Sequence, residues 1–163
     1  MIAGANIINV TTYRVLYGDT DQMGVVYYAN YLRWFEKGRC EFLRQIGLPY
    51  STIEQQGFHF PVTEVNCRYA NSARYDDNVQ IATELTELGR ASLLFVYRIS
   101  RESNNDLLAT GSTKHACIDQ AGKVARIPAI LLDVLKAAAR IAFRSVRFTV
   151  KKAPLSAWAT PIL

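Results

Sequence analysis

The spacing of apolar residues changes several times along the chain, and each change predicts an element. Residues 10–18 (Val-Thr-Thr-Tyr-Arg-Val-Leu-Tyr-Gly) concentrate β-branched and aromatic side chains and predict a strand. A polar run with glycine follows, Asp19-Thr20-Asp21-Gln22-Met23-Gly24, and predicts a loop. From about Tyr28 to Ile46 the period lengthens. Tyr31, Phe35, Gly38, Phe42 and Ile46 recur at three- and four-residue steps, placing one apolar stripe on a helix of about 19 residues. Arg33, Lys37 and Arg44 fall elsewhere on that helix, Gly47 supplies its C-terminal cap, and Pro49 follows two residues later. Gly38 costs the helix about 1 kcal/mol, which the close approach of another backbone would explain.

Residues 51–57 predict one or two further helical turns, with Ser51 as N-cap and Glu54 completing a capping box. Strands are then expected at 58–70, 78–88, 91–102 and 107–119, joined by turn-forming runs at Leu88-Gly89-Arg90, Ser103-Asn104-Asn105-Asp106 and Asp119-Gln120-Ala121-Gly122-Lys123. Pro128 opens a last helix from Ala129 to about Arg144. The order is strand, long helix, four strands in hairpins, terminal helix. An antiparallel sheet must wrap the long helix to bury its stripe, which makes the fold α+β and not doubly wound. Residues 145–163 alternate Phe148, Val150, Leu155, Trp158, Ile162 and Leu163 with two prolines, and predict no regular element.

The chain has 163 residues, about one domain, with 50% hydrophobic and 20% charged residues, so disorder is excluded. No apolar run reaches the ~20 residues of a membrane span, and no signal-peptide pattern opens the chain. Cys40, Cys67 and Cys117 lie far apart without metal-ligand spacing. A soluble, reducing, cytoplasmic setting with no metal is expected. Charge is uneven: residues 114–163 carry nine Lys or Arg against two Asp, a net +7, and the rest of the chain carries −2. That bias fits either a polyanionic partner or a solvated helix face.

Candidate chemistry is sparse. No GxGxxG, Walker or GxSxG motif is present, which removes the usual dinucleotide, nucleotide and α/β-hydrolase readings. His59, between Phe58 and Phe60, and His115, in a strand, are the only histidines and read as packed or surface imidazoles. The loop-to-helix junction is better placed. Asp19 and Asp21 precede a helix start, where free backbone N–H groups and the positive dipole end can hold a polarised carbonyl. A carboxylate beside such donors has the parts for acyl transfer, and it equally suits a simple N-cap or turn.

The segment from Tyr17 through Asp19, Asp21, Gly24, Tyr27, Tyr28, Asn30 and Tyr31 to Glu36 strongly resembles the 4-hydroxybenzoyl-CoA thioesterase family of hotdog-fold acyl-CoA thioesterases. Arg39-Cys-Glu41-Phe-Leu-Arg-Gln-Ile-Gly47 continues the likeness, and Ala73-Arg74-Tyr75-Asp76-Asp77 is similar to the family's P-A-R-x-D-D segment, with Ser72 in place of its proline. The likeness covers roughly residues 10–143. It implies a single hotdog domain over 1–144, with 145–163 as an extension of unknown role. The implied activity is hydrolysis of an acyl-CoA to a carboxylic acid and CoA by a homodimer or homotetramer, without cofactor. Asp21 is then the nucleophile or general base, and the backbone N–H at Tyr28 polarises the thioester carbonyl. Gly24, Val25, Val26, Tyr27 and Asn30 are the implied substrate contacts, and basic side chains would meet the CoA phosphates.

Asp19 is expected to cap the loop so that Asp21 points inward, and Asp76 and Asp77 to act as turn acids. Gly24 is expected to take a positive φ or allow a close backbone approach, and Asn30 to cap the helix or touch the acyl group. Tyr27, Tyr28, Phe58 and Phe60 are equally readable as an aromatic pocket or as core. Glu64 is the fallback carboxylate. A hotdog dehydratase would need a His motif that is missing here. A non-catalytic acyl-CoA or acyl-carrier-protein binding module remains the alternative, and nucleic-acid binding is not expected because the tail lacks a stacking platform.

Overall fold

The computed structural model describes residues 7–135. Five antiparallel strands form the main sheet: β1 (Ile7–Arg14), β3 (Val62–Tyr69), β4 (Asn78–Leu88), β5 (Ser92–Arg101) and β6 (Leu107–Ala116), in the order β1-β4-β5-β6-β3. Two short strands, β2 (Phe58–His59) and β7 (Ile118–Asp119), pair separately. Helix α1 (Asn30–Gln45) lies across the inner face, mainly over β1, β4 and β5. The sheet wraps the helix, as the periodicity and the resemblance both predict.

The apolar stripe explains the packing. Tyr31, Trp34, Phe35, Gly38, Phe42 and Leu43 are the buried positions of α1. Phe35 stacks on Tyr97 of β5 at 4.4 Å, and Phe42 meets Phe95 edge-on at 5.4 Å. At Gly38 a Cβ would collide with the Thr83 hydroxyl and come within 2.9 Å of Ile81 Cγ2. The missing side chain therefore admits two β4 side chains, where the sequence suggested a backbone. Alternation on β4 and β5 supplies the opposing layer, with Val79, Ile81, Leu85, Leu93, Phe95 and Ile99 buried.

Gly47 ends α1 as predicted. Its φ is +78°, its N–H donates to the Arg44 carbonyl, and the Leu48 N–H reaches the Leu43 carbonyl at 2.9 Å, the paired bonds of a Schellman motif. The second helix, α2 (Tyr50–Gln55), starts two residues earlier than a Ser51 N-cap would place it. Pro49 is its N-cap with no side-chain cap bond, so the expected Ser51–Glu54 capping box does not form: Pro49 has already set the entering backbone.

Two expected strands are broken. The run 58–70 divides at Phe60-Pro61, because β2 turns to pair with β7 while β3 pairs with β6. The run 107–119 divides at Cys117, whose N–H donates to the Ala91 carbonyl instead of a ladder partner. The hairpin loops form as expected. Asp119 Oδ1 accepts from the Ala121 and Lys123 N–H groups at 2.9 Å each. Helix α3 begins at residue 129 after Pro128 and continues through residue 135. The rest of the predicted terminal helix and the extension 145–163 lie outside the described residues.

Candidate active site

The loop before α1 is built around Asp19, which is only 7% exposed. Its Oδ2 accepts from the Tyr13 hydroxyl and the Leu16 N–H, both at 2.8 Å, and caps the 3₁₀ turn Tyr17–Asp19. Its main-chain carbonyl accepts from the Tyr27 N–H at 2.9 Å and from Asn30 Nδ2 at 2.8 Å. One residue thus ties β1, the turn and the first residue of α1 together. The Tyr13 phenol is pushed up to about 12 by burial and by the Asp19 carboxylate that its proton holds.

Asp21 opens a reverse turn. Its carbonyl accepts the Gly24 N–H at 2.9 Å, and Gly24 has the positive φ, +72°, that the sequence suggested. Asp21 Oδ1 accepts the Met23 N–H at 2.8 Å, while Oδ2 has no hydrogen-bond partner among the described residues. The Val26 N–H donates to the Ala73 carbonyl at 2.8 Å and stitches this loop to the segment entering β4. The Arg74 guanidinium lies beside the turn, 4.0 Å from where a Gly24 Cβ would stand.

A cavity of about 320 Å³ opens at this junction. Asp21, Met23, Val25 and Val26 form one side, Tyr28, Tyr31 and Tyr69 an aromatic side, and Ala70, Asn71 and Ser72 the side contributed by the chain leaving β3. Tyr69 meets the Tyr28 and Tyr31 rings edge-on, at 6.4 and 5.2 Å. The Tyr69 hydroxyl donates to the Tyr28 carbonyl at 3.0 Å. Among the described residues the N–H groups of Tyr28 and Ala29 have no acceptor, whereas those of Tyr27 and Asn30 are used. Asp21, with its unpartnered carboxylate oxygen, and Tyr28, with its unused N–H, therefore share one space with an aromatic wall, and the unused Ala29 N–H is the next one along the chain. Those are the components of acyl transfer.

Of the residues singled out in the sequence, Asp21, Val25, Val26 and Tyr28 line this cavity. Tyr27 does not line it but packs its exposed ring against Tyr28, 4.6 Å between centroids. Asn30 lines a different cavity of about 250 Å³ on the β1 side of α1, with Tyr13, Asp19, Arg33, Trp34 and Lys37. It is not the helix cap either: Ala29 is, without a side-chain cap bond. Phe60 is core and Phe58 packs against that core, which takes both out of the aromatic pocket. Glu64 is exposed on β3 and pairs with Lys114 at 3.3 Å. Asp76 sits at a φ of +67° and pairs with Arg14, and Asp77 caps the Arg74 N–H, so both are turn acids. Tyr31 was legible only as core and Tyr69 only as a strand residue. Their part in the cavity had no separate signal.

His115 is 1% exposed and does not line this cavity. Nδ1 bonds the Phe60 carbonyl at 2.9 Å; a carbonyl only accepts, so Nδ1 carries the proton. Nε2 is then the acceptor for the Thr113 hydroxyl at 2.8 Å, and Thr113 accepts from Tyr97 at 2.7 Å. Burial pulls the imidazole down to about 4, with Arg39 pulling the same way. Among the described residues no group of three or more His, Cys, Asp or Glu is placed to hold a metal ion, and no helix is long and apolar enough to cross a membrane.

The family model of the thioesterase-like superfamily matches residues 15–139. The acyl-CoA thioesterase YbgC of Haemophilus influenzae is 39% identical over 107 residues, 65% of this chain and 77% of its own length. Among solved structures, a hypothetical protein of Thermus thermophilus is 40% identical with a TM-score of 0.75, covering 79% of this chain and 98% of its own. The DHNA-CoA thioesterase of Staphylococcus aureus is 32% identical with a TM-score of 0.76, covering 82% of this chain and 90% of its own.

Proposed function

The chain belongs to the thioesterase-like superfamily and is an acyl-CoA thioesterase of the hotdog fold, and we propose that Asp21 and the free N–H groups at the start of α1 carry its chemistry. One observation carries this assignment: Asp21 and Tyr28 line the same cavity, and among the described residues Asp21 Oδ2 and the Tyr28 and Ala29 N–H groups have no hydrogen-bond partner. The thioester carbonyl oxygen takes the N–H donors, whose fixed dipoles stabilise the charge that develops on it. Asp21 either attacks the carbonyl carbon, giving a mixed anhydride that water opens, or removes a proton from the attacking water. Both routes expel CoA as a thiolate, a good leaving group, so no strong general acid is required.

Val25, Val26 and Tyr28 form walls of the acyl site, Gly24 sets the turn that presents Asp21, Tyr27 backs Tyr28, and Asn30 anchors the loop through Asp19. The enzyme acts in the cytoplasm, a setting that suits three free cysteines. It works as a homo-oligomer, dimer or tetramer, for which the uncovered edge strand β3 is the supporting feature.

The test is thiol release from a panel of aryl, short-chain and long-chain acyl-CoA esters. Asp21→Asn, still folded, should lose about 100-fold or more in kcat. Acyl mass on the Asp21 peptide of enzyme quenched during turnover identifies the nucleophilic route. Full activity in Asp21→Asn removes Asp21 from the mechanism, and CoA-ester binding without turnover in the native protein reduces the protein to a binding module.

A further inference from the structure

We propose that Tyr69 is a positioning residue for this hydrolysis: from the edge strand β3 its hydroxyl holds the Tyr28 carbonyl and thereby fixes the Tyr28–Ala29 peptide, which carries one of the two free N–H donors at the start of α1. The inference rests on the reading that those donors bind the thioester carbonyl. A peptide unit is planar, so restraining its C=O restrains the N–H on its other side. Stabilising an oxyanion demands donors held to a fraction of an ångström, and a peptide free to rock loses that.

Among the described residues little else holds this unit. The Tyr31 N–H is the other donor to the Tyr28 carbonyl, at 3.4 Å, too long for a firm bond. The Tyr28 side chain is largely exposed and its neighbours are the rings of Tyr27 and Tyr69. The 3.0 Å bond from Tyr69, 41 residues away in sequence, is the short one. It also polarises the amide, which strengthens the Ala29 N–H as a donor. Burial and the neighbouring Cys67 thiol raise the Tyr69 phenol well above its ordinary range, so its proton stays in place over the pH range of activity.

Tyr69→Phe tests this, because it keeps both edge-on ring contacts and deletes only the hydroxyl. Kinetics are measured on a short straight-chain, a long-chain and an aryl acyl-CoA, beside the melting temperature of each protein. The expected result is a kcat at least tenfold lower on all three substrates, with KM within about twofold and melting almost unchanged, since the carbonyl is common to every thioester. A loss confined to one acyl type would make Tyr69 a pocket-shape residue and overturn the proposal. So would unchanged kcat, or a loss that follows a fall in melting temperature. Inactive native protein on every ester would instead remove the hydrolase reading on which the proposal stands.

Discussion

Asp19 and Asp21 stand two positions apart with the same side chain, and their surroundings divide the work between them. Asp19 is buried, and its carboxylate is committed to Tyr13 and Leu16, so it holds the loop. Asp21 is half-buried beside the cavity, and one of its oxygens has no partner among the described residues. Asp19→Ala should therefore cost about 1–3 kcal/mol of stability, because it leaves a half-buried hydroxyl and a backbone N–H without an acceptor. Urea unfolding measures this, and a loss below about 0.5 kcal/mol would deny Asp19 its structural role. The D-x-D pair was visible in the sequence as two carboxylates before a helix. Which of them is buried depends on Tyr13, brought in from β1, and was not.

Elements were legible where local chemistry decided them. The stripe on α1, the Gly47 terminus, the three hairpin turns and the Pro128 start all appear where spacing put them. The failures lie at changes of partner: β2 leaves the line of β3 to meet β7, and no local pattern records that choice. Strand β3 raises a further consequence. It is an edge of the sheet with Val62, Val65 and Tyr69 exposed, and α1 packs mainly towards the opposite side. Unpaired edges with exposed apolar side chains invite a second strand. Light scattering should give two or four times the 18.3 kDa chain mass, and Val65→Lys should shift the protein towards monomer. A native monomer at micromolar concentration would refute the oligomer.

At the scale of the whole molecule, the buried His115 couples stability to pH. Its folded value of about 4 lies below the ordinary 6.5. Between those values the unfolded chain binds a proton that the folded one refuses, so acid favours unfolding there. Stability should be level above pH ~6.5 and fall by up to about 3 kcal/mol as the pH drops to ~4. Urea midpoints across that range measure the effect, and His115→Gln should remove most of the slope. Equal slopes in the two proteins would clear His115 of the effect.

The sequence by itself determined the α+β order, the helix face that meets the sheet, the family and the Asp21 loop, because each depends on residues within a few positions of one another. Tertiary structure alone decided the cavity. Tyr69, Ala70, Asn71 and Ser72 reach Asp21 only because β3 runs antiparallel to β6 and leaves the sheet beside the start of α1. Side chains some fifty residues apart share a site through strand pairing, and pairing partners are chosen by the burial of the whole core.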